Sequence, residues 1–166
     1  MRIDAPLRAD VRHVAENMRQ KDIVEFRAVS RAESTDELVE TLIERYGDRG
    51  DTICARLDDG TPVAIGAMIE SRFNVATLLF FATDDFPQIA MALTRFIVQR
   101  LFPRYRNAGV HRIECVSHID YTEAHRWIET LGLKKEAEMP GYGRNGETYF
   151  QFAWVDDRVR QTGNGA

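Results

Sequence analysis

The chain has 166 residues, 44% of them apolar, which suits one domain with its own core. Its 22 basic and 26 acidic residues give a net charge of −4 with the signs interspersed, arguing against a nucleic-acid footprint. No run approaches the roughly 18 apolar residues of a membrane span. The opening MRIDAPLRADVRH lacks the apolar stretch of a secretory signal, so a cytoplasmic protein with no membrane partner is expected.

Arg2 to Ala5 predict a short strand, and Asp10 can cap a helix whose apolar set Val11, Val14, Ala15 and Met18 recurs at helical spacing. Asp22 and Glu25 have capping-box spacing, which predicts a helical restart carrying Ile23, Phe26 and Val29, or one bent helix through Gln20 and Lys21. Ser34 and Glu37 repeat that spacing before Leu38, Val39, Leu42 and Ile43, and Gly47 is placed to end the helix.

Composition then turns β-branched. Thr52 to Leu57, the turn Asp58-Asp59-Gly60 and Pro62 to Glu70 predict a hairpin. Val75 to Thr83, VATLLFFAT, is apolar enough to predict a central strand buried on both faces. Pro87 suits the first turn of a helix running to about Leu101, which Pro103 ends or kinks. Val110 to Val116 predict a strand, YTEAHRWIETLGL a helix stopped at Gly132, and Lys134 to Met139 with Glu147 to Val155 a closing strand pair. Cys54 and Cys115 fall in strand-like runs, which predicts buried free thiols. His13, His111 and His125 lack ligand spacing with any acid or cysteine, so no metal site is expected. Residues 1–155 are expected to form one α/β domain with a mixed sheet, and 156–166 a polar, frayed tail.

That order of elements resembles the GNAT superfamily of acyl-CoA-dependent N-acyltransferases. The superfamily's late helix commonly reads N-x-x-A-x-x-L-Y-x-x-L-G-F; here the frame holds Tyr121, Ala124, Trp127, Ile128, Leu131, Gly132 and Leu133. The octet AENMRQKD (Ala15 to Asp22) and the aromatic end GYGRNGETYFQFAW resemble the GNAT-like proteins of tailed bacteriophages and prophages. The resemblance implies a mostly antiparallel central sheet with helices on both faces and two central strands that splay apart. Acetyl-CoA would lie in that splay, between Leu78 to Ala82 and Val110 to Val116, held by main-chain groups that need partners. Phe80, Phe81, Ala82 and Thr83 would line it, with Gln88, Ile89 and Ala90 at the pyrophosphate loop.

Two departures from the superfamily pattern stand out. Asp85, Gln88 and Ala90 occupy the R/Q-x-x-G-x-G/A positions, so Asp84 and Asp85 face the expected pyrophosphate. Like charges 4 Å apart repel by roughly 4 kcal/mol at an effective dielectric of 20; helix capping is the ordinary role of such acids. Ile128 replaces the Tyr that commonly protonates the departing thiolate, and Tyr121 is the nearest substitute. An amine acceptor needs a base, for which Glu70, Glu114 and His118 are candidates, His118 first because its ordinary pKa lies near neutrality. Glu16, Asn17 and Arg19 lie on the polar side of the first helix, near the acceptor region of the superfamily. The acceptor itself, a small molecule or a protein, is not specified by these residues. Two roles are therefore open: acetyl transfer, or a catalytically silent phage protein that meets virion or host partners. The exposed final strands offer an edge for a homodimer.

Overall fold

A computed structural model describes residues 1–162. VATLLFFAT supplies β4 (Val75–Ala82), the fourth of seven strands. On one side lie β3 (Pro62–Arg72), β2 (Thr52–Arg56) and β1 (Arg2–Asp4); on the other lie β5 (Arg112–His118), β7 (Tyr149–Val155) and β6 (Lys134–Met139). Each neighbouring pair is antiparallel except β4 and β5. β1 and β6 are the edge strands, and β6 is almost fully exposed.

Side chains alternate across β4, and each set builds a core. Leu79 and Phe81 meet Val11, Val14, Leu38, Leu42 and Tyr46, carried by α1 (Arg8–Glu16) and α3 (Thr35–Tyr46). Ala76, Leu78 and Ala82 meet Ile89, Leu93 and Ile128 from α4 (Phe86–Phe96) and α6 (Thr122–Thr130) on the opposite face. Each fully buried Leu, Ile or Phe contributes roughly 1.5–3 kcal/mol, so helices on both faces hold β4 as the centre of the fold. Cys54 and Cys115 are buried free thiols.

Helix starts deviate from the sequence reading where acids have partners far along the chain. α1 begins at Arg8, before Asp10, whose carboxylate accepts the Leu7 N–H at 2.7 Å and pairs with the buried Arg56 guanidinium. α2 (Gln20–Ala28) begins two residues ahead of Asp22, leaving that acid free for a strand instead of a cap. Ser34 does cap α3, accepting the Glu37 N–H at 3.1 Å. Pro103 does not end its helix. A π-helical turn, Ile97–Leu101, precedes it, and α5 (Phe102–Asn107) follows directly. The wider turn accommodates a residue that has no N–H and would crowd a regular α-turn. Gly132, at φ +94°, closes α6 as a left-handed residue.

The expected tail opens with a short helix, α7 (Asp157–Thr162); residues 163–166 lie outside the described residues. Among the described residues no helix is long and apolar enough to cross a membrane.

Candidate active site

β4 and β5 pair only at Val75–Arg112, Ala76–Ile113 and Thr77–Glu114, after which no ladder joins them. Thr83 donates to Val63 O on β3, and Ile119 donates to Thr148 O beyond the end of β7. The alternation of an antiparallel ladder therefore turns the N–H and C=O of Leu78, Phe80 and Ala82 on β4, and of Val116 and His118 on β5, toward the gap. A cleft of about 260 Å³ occupies it, lined by Leu78, Phe80, Val116, Tyr121, Trp127 and Ile128 among others. Of the splay expected between Leu78–Ala82 and Val110–Val116, the β4 side is present, whereas on β5 it begins only beyond Glu114, because Arg112 to Glu114 are still paired with β4.

α2 fills the wide end. Asp22 Oδ2 accepts the Ala82 N–H at 2.9 Å, and the Arg19 N–H donates to Ala82 O at 3.0 Å. One turn later, Glu25 Oε1 accepts the His118 N–H at 2.6 Å. Two carboxylates on one helical face thus satisfy backbone groups on the two diverging strands. Asp22 is 1% exposed; it also receives the Tyr121 hydroxyl at 2.8 Å and a forked bond from the Arg19 guanidinium. Burial pushes its carboxyl above the usual range, against the pull of Arg19, the Ala82 N–H and Tyr121. The Arg19 guanidinium lies over Phe86, 4.9 Å from the ring centre, and also faces Phe80 and Tyr121.

Glu25 lacks such a cationic partner in contact. Burial pushes its carboxyl up to about 7, and the Ser117 hydroxyl, the His118 N–H and Arg19 only partly offset this, while Asp22 adds to it. Ser117 is 1% exposed and lines the cleft; its hydroxyl makes no hydrogen bond of standard geometry. Neither Glu25 nor Ser117 stands out in the sequence, where Glu25 reads as the partner of a capping Asp22.

The residues expected to act as acids and bases are dispersed. Tyr121 alone of them lines the cleft; burial raises its pKa far above the ordinary phenol value, and its hydroxyl donates a hydrogen bond to Asp22. His118 sits beyond the wide end: its Nδ1 accepts the Asp120 N–H at 3.2 Å, its carbonyl meets His125 Nε2, and its ring packs edge-on against Tyr149. Glu114 lies at the closed end, bonded to Arg72, Arg112 and Gln151. Glu70 accepts the Asn74 N–H in the β3–β4 turn, on the side of the sheet where β4 and β5 are still paired. Glu70 and Glu114 are thus not brought to the cleft, because their strands carry them to the end where the ladder is intact.

Of the expected cofactor residues, Phe80 lines the cleft and Phe81 points to the opposite core. Ala82 has both backbone groups engaged by the chain entering α2. Phe80, Phe86 and Trp127 form a three-ring cluster with centres 4.5–5.3 Å apart, and Trp127 Nε1 donates to Thr94 Oγ1.

No family model matches the sequence, and no curated protein does. Solved structures do match. The GNAT-family acetyltransferase of Bacillus anthracis superimposes at a TM-score of 0.67 with 12% identity, over 93% of this chain and 94% of that one. The ribosomal-protein-S18-alanine N-acetyltransferase of Escherichia coli gives 0.65 with 17% identity, over 93% and 92%. The spermidine N-acetyltransferase of Vibrio cholerae, in complex with CoA and spermine, gives 0.64 with 14% identity, over 96% and 97%. The chain has the GNAT acetyltransferase fold.

In this GNAT fold the turn entering α4 is occupied by its own bonds. The N–H groups of Asp85, Phe86 and Gln88 donate to Thr83 Oγ1, Thr83 O and Asp85 O, and Pro87 has none to offer. Asp85 does not cap α4 with its side chain, as its sequence position suggests. Its Oδ1 instead accepts Gln88 Nε2 at 2.8 Å, since Thr83 already supplies the turn's acceptors. Ile89 is 2% exposed and belongs to the core, which removes its side chain from any contact with a ligand.

Proposed function

We propose that this chain is an N-acyltransferase that moves an acetyl group from acetyl-CoA to an amine in the cytoplasm. The observation that carries this reading is the gap between β4 and β5, where Leu78, Phe80 and Val116 turn backbone donors and acceptors toward a partly apolar cleft with no strand opposite. Such edges suit an extended amide-bearing arm, which adds to a sheet as a strand would. The pantetheine part of CoA has that chemistry, and Leu78, Phe80, Val116 and Ile128 are the residues that would hold it. When bound, the cofactor supplies an acyl group activated as a thioester. The chain's own residues would exclude water through Phe80, Phe86 and Trp127, and orient the acyl carbonyl with a main-chain N–H, a placement worth roughly 3 kcal/mol in comparable sites. Tyr121 is poorly placed as the acid, since its hydroxyl is committed to Asp22; a thiolate can leave without one, at the cost of a slower reaction.

The pyrophosphate fits less well. Three first-turn N–H groups are already bonded, Pro87 has none, and Asp84 and Asp85 add negative charge. This favours a second reading, a catalytically silent GNAT-fold protein of the phage type that the sequence resembles, with a virion or host partner. Calorimetric titration with acetyl-CoA separates the two, followed by thiol release in the presence of n-butylamine, spermidine and an alanyl peptide. Binding in the micromolar range with amine-dependent thiol release is expected. Absence of binding at millimolar acetyl-CoA ends the enzymatic reading.

A further inference from the structure

We infer that Glu25 is the proton acceptor for the attacking amine, with the Ser117 hydroxyl tuning it, an assignment that rests on the acyltransferase reading above. The position is specific. Glu25 lines the cleft from α2 at its wide end, facing Ser117 on β5 and Tyr121 at the start of α6. One carboxylate oxygen, Oε1, is fixed by the His118 N–H at 2.6 Å, which sets the orientation of the group. The Ser117 hydroxyl also bears on the carboxylate, which faces the cleft beside it. Asp22, its neighbour on the same helical face, cannot take the proton: its oxygens are taken by Arg19, Tyr121 and the Ala82 N–H. His118 is excluded for a different reason, since its Nδ1 accepts the Asp120 N–H and its side chain lines a separate hollow with Lys21, Val24, Asp120 and Tyr121.

Ser117 is the second polar group at this end of the cleft. Its buried hydroxyl makes no hydrogen bond of standard geometry and meets the Glu25 carboxylate only loosely, at the border of the cleft. It is placed to hold the acceptor nitrogen or the carboxylate that deprotonates it. In the transfer, the amine nitrogen gives one proton to the Glu25 carboxylate as its lone pair forms the C–N bond. The C–S bond breaks, and the sulfur leaves with the bonding pair and takes a proton from solvent. A carboxyl poised near neutrality by burial suits that exchange. The charged and titratable groups that bear on it are Arg19 and Asp22 from the start of α2, Cys115 and His118 from β5, Tyr121 before α6 and Tyr149 from β7. Of these, only Arg19 is a fixed cation, and it is already paired with Asp22.

The test has two arms. In the ligand-free protein, the Glu25 carboxyl carbon followed by NMR is expected to titrate near 7, and Ser117→Ala to move that midpoint upward, because the hydroxyl lowers it. With acetyl-CoA and the fastest amine of the panel, the limb in kcat/KM on the same midpoint is expected to shift with Ser117→Ala. Glu25→Gln is expected to lower kcat roughly 10²- to 10⁴-fold while the calorimetric Kd for acetyl-CoA stays within about twofold, which also reports that the variant is folded. If Glu25→Gln turns over within threefold of the parent, or the limb survives it, the assignment of Glu25 is overturned and the acyltransferase reading stands. If the parent neither binds acetyl-CoA nor acetylates any amine of the panel, both fall together.

Discussion

The two ends of the β4–β5 gap treat their acids in opposite ways. At the closed end Glu114 meets Arg72 and Arg112, and Arg112 also holds Glu136, so charge is matched by charge at the surface of the sheet. At the wide end Asp22 and Glu25 are set against backbone N–H groups, with a single guanidinium between them. Matching by fixed cations leaves a carboxylate inert, whereas dipoles and burial leave one carboxyl, Glu25, close to neutrality. The sheet uses its acids as glue where strands are paired and as potential chemistry where they part.

The largest effect expected from breaking this contrast comes from Asp22→Ala. It strands the Arg19 guanidinium and the Ala82 N–H together, and removal of one partner from a buried pair typically costs about 3–5 kcal/mol. Urea denaturation measures it, and a loss below about 1 kcal/mol would show that Asp22 does not brace the strand. Next comes the pH dependence at Glu25. Burial pushes its folded carboxyl up to about 7 from the ordinary 4.5, so between these the folded state holds a proton that the unfolded chain has released. Stability therefore falls as pH rises through that window, by up to about 1.4 kcal/mol per pH unit. Glu25→Gln should flatten the slope in melts taken from pH 5 to pH 8; an unchanged slope would place the titration elsewhere. The smallest effect belongs to the closed end. Arg72 is mostly exposed, so Arg72→Ala should cost at most about 1 kcal/mol, and less in high salt. A larger, salt-independent loss would mean that the closed end is held as tightly as the wide one.

The fold was legible because it rests on local patterns. VATLLFFAT announces a doubly buried strand, Ser34 and Glu37 a helix start, and Gly132 a helix end, each within a few residues of its cause. The candidate site rests on distant partners. Asp22 reaches Ala82 across 60 positions and Glu25 reaches His118 across 93, while in sequence the pair has only the spacing of a capping box. Tyr121 was legible because the motif frame of α6 places it, but the bond to Asp22 that occupies its hydroxyl was not. Ser117 carries no signal at all in HRIECVSH, since its importance lies in its place beside Glu25, which is remote along the chain.

A consequence follows from the three-residue spacing of the two α2 carboxylates. Three residues of α-helix advance about 4.5 Å, so one turn of α2 acts as a gauge block, holding the tips of β4 and β5 at a set width while their roots stay zipped. The calibre of the cleft is in that sense written in the DIVE of residues 22–25 rather than in the strands themselves. Inserting one residue between Asp22 and Glu25 would swing the second carboxylate by about 100° and withdraw it from His118, changing the bore of the channel without altering a residue of its walls.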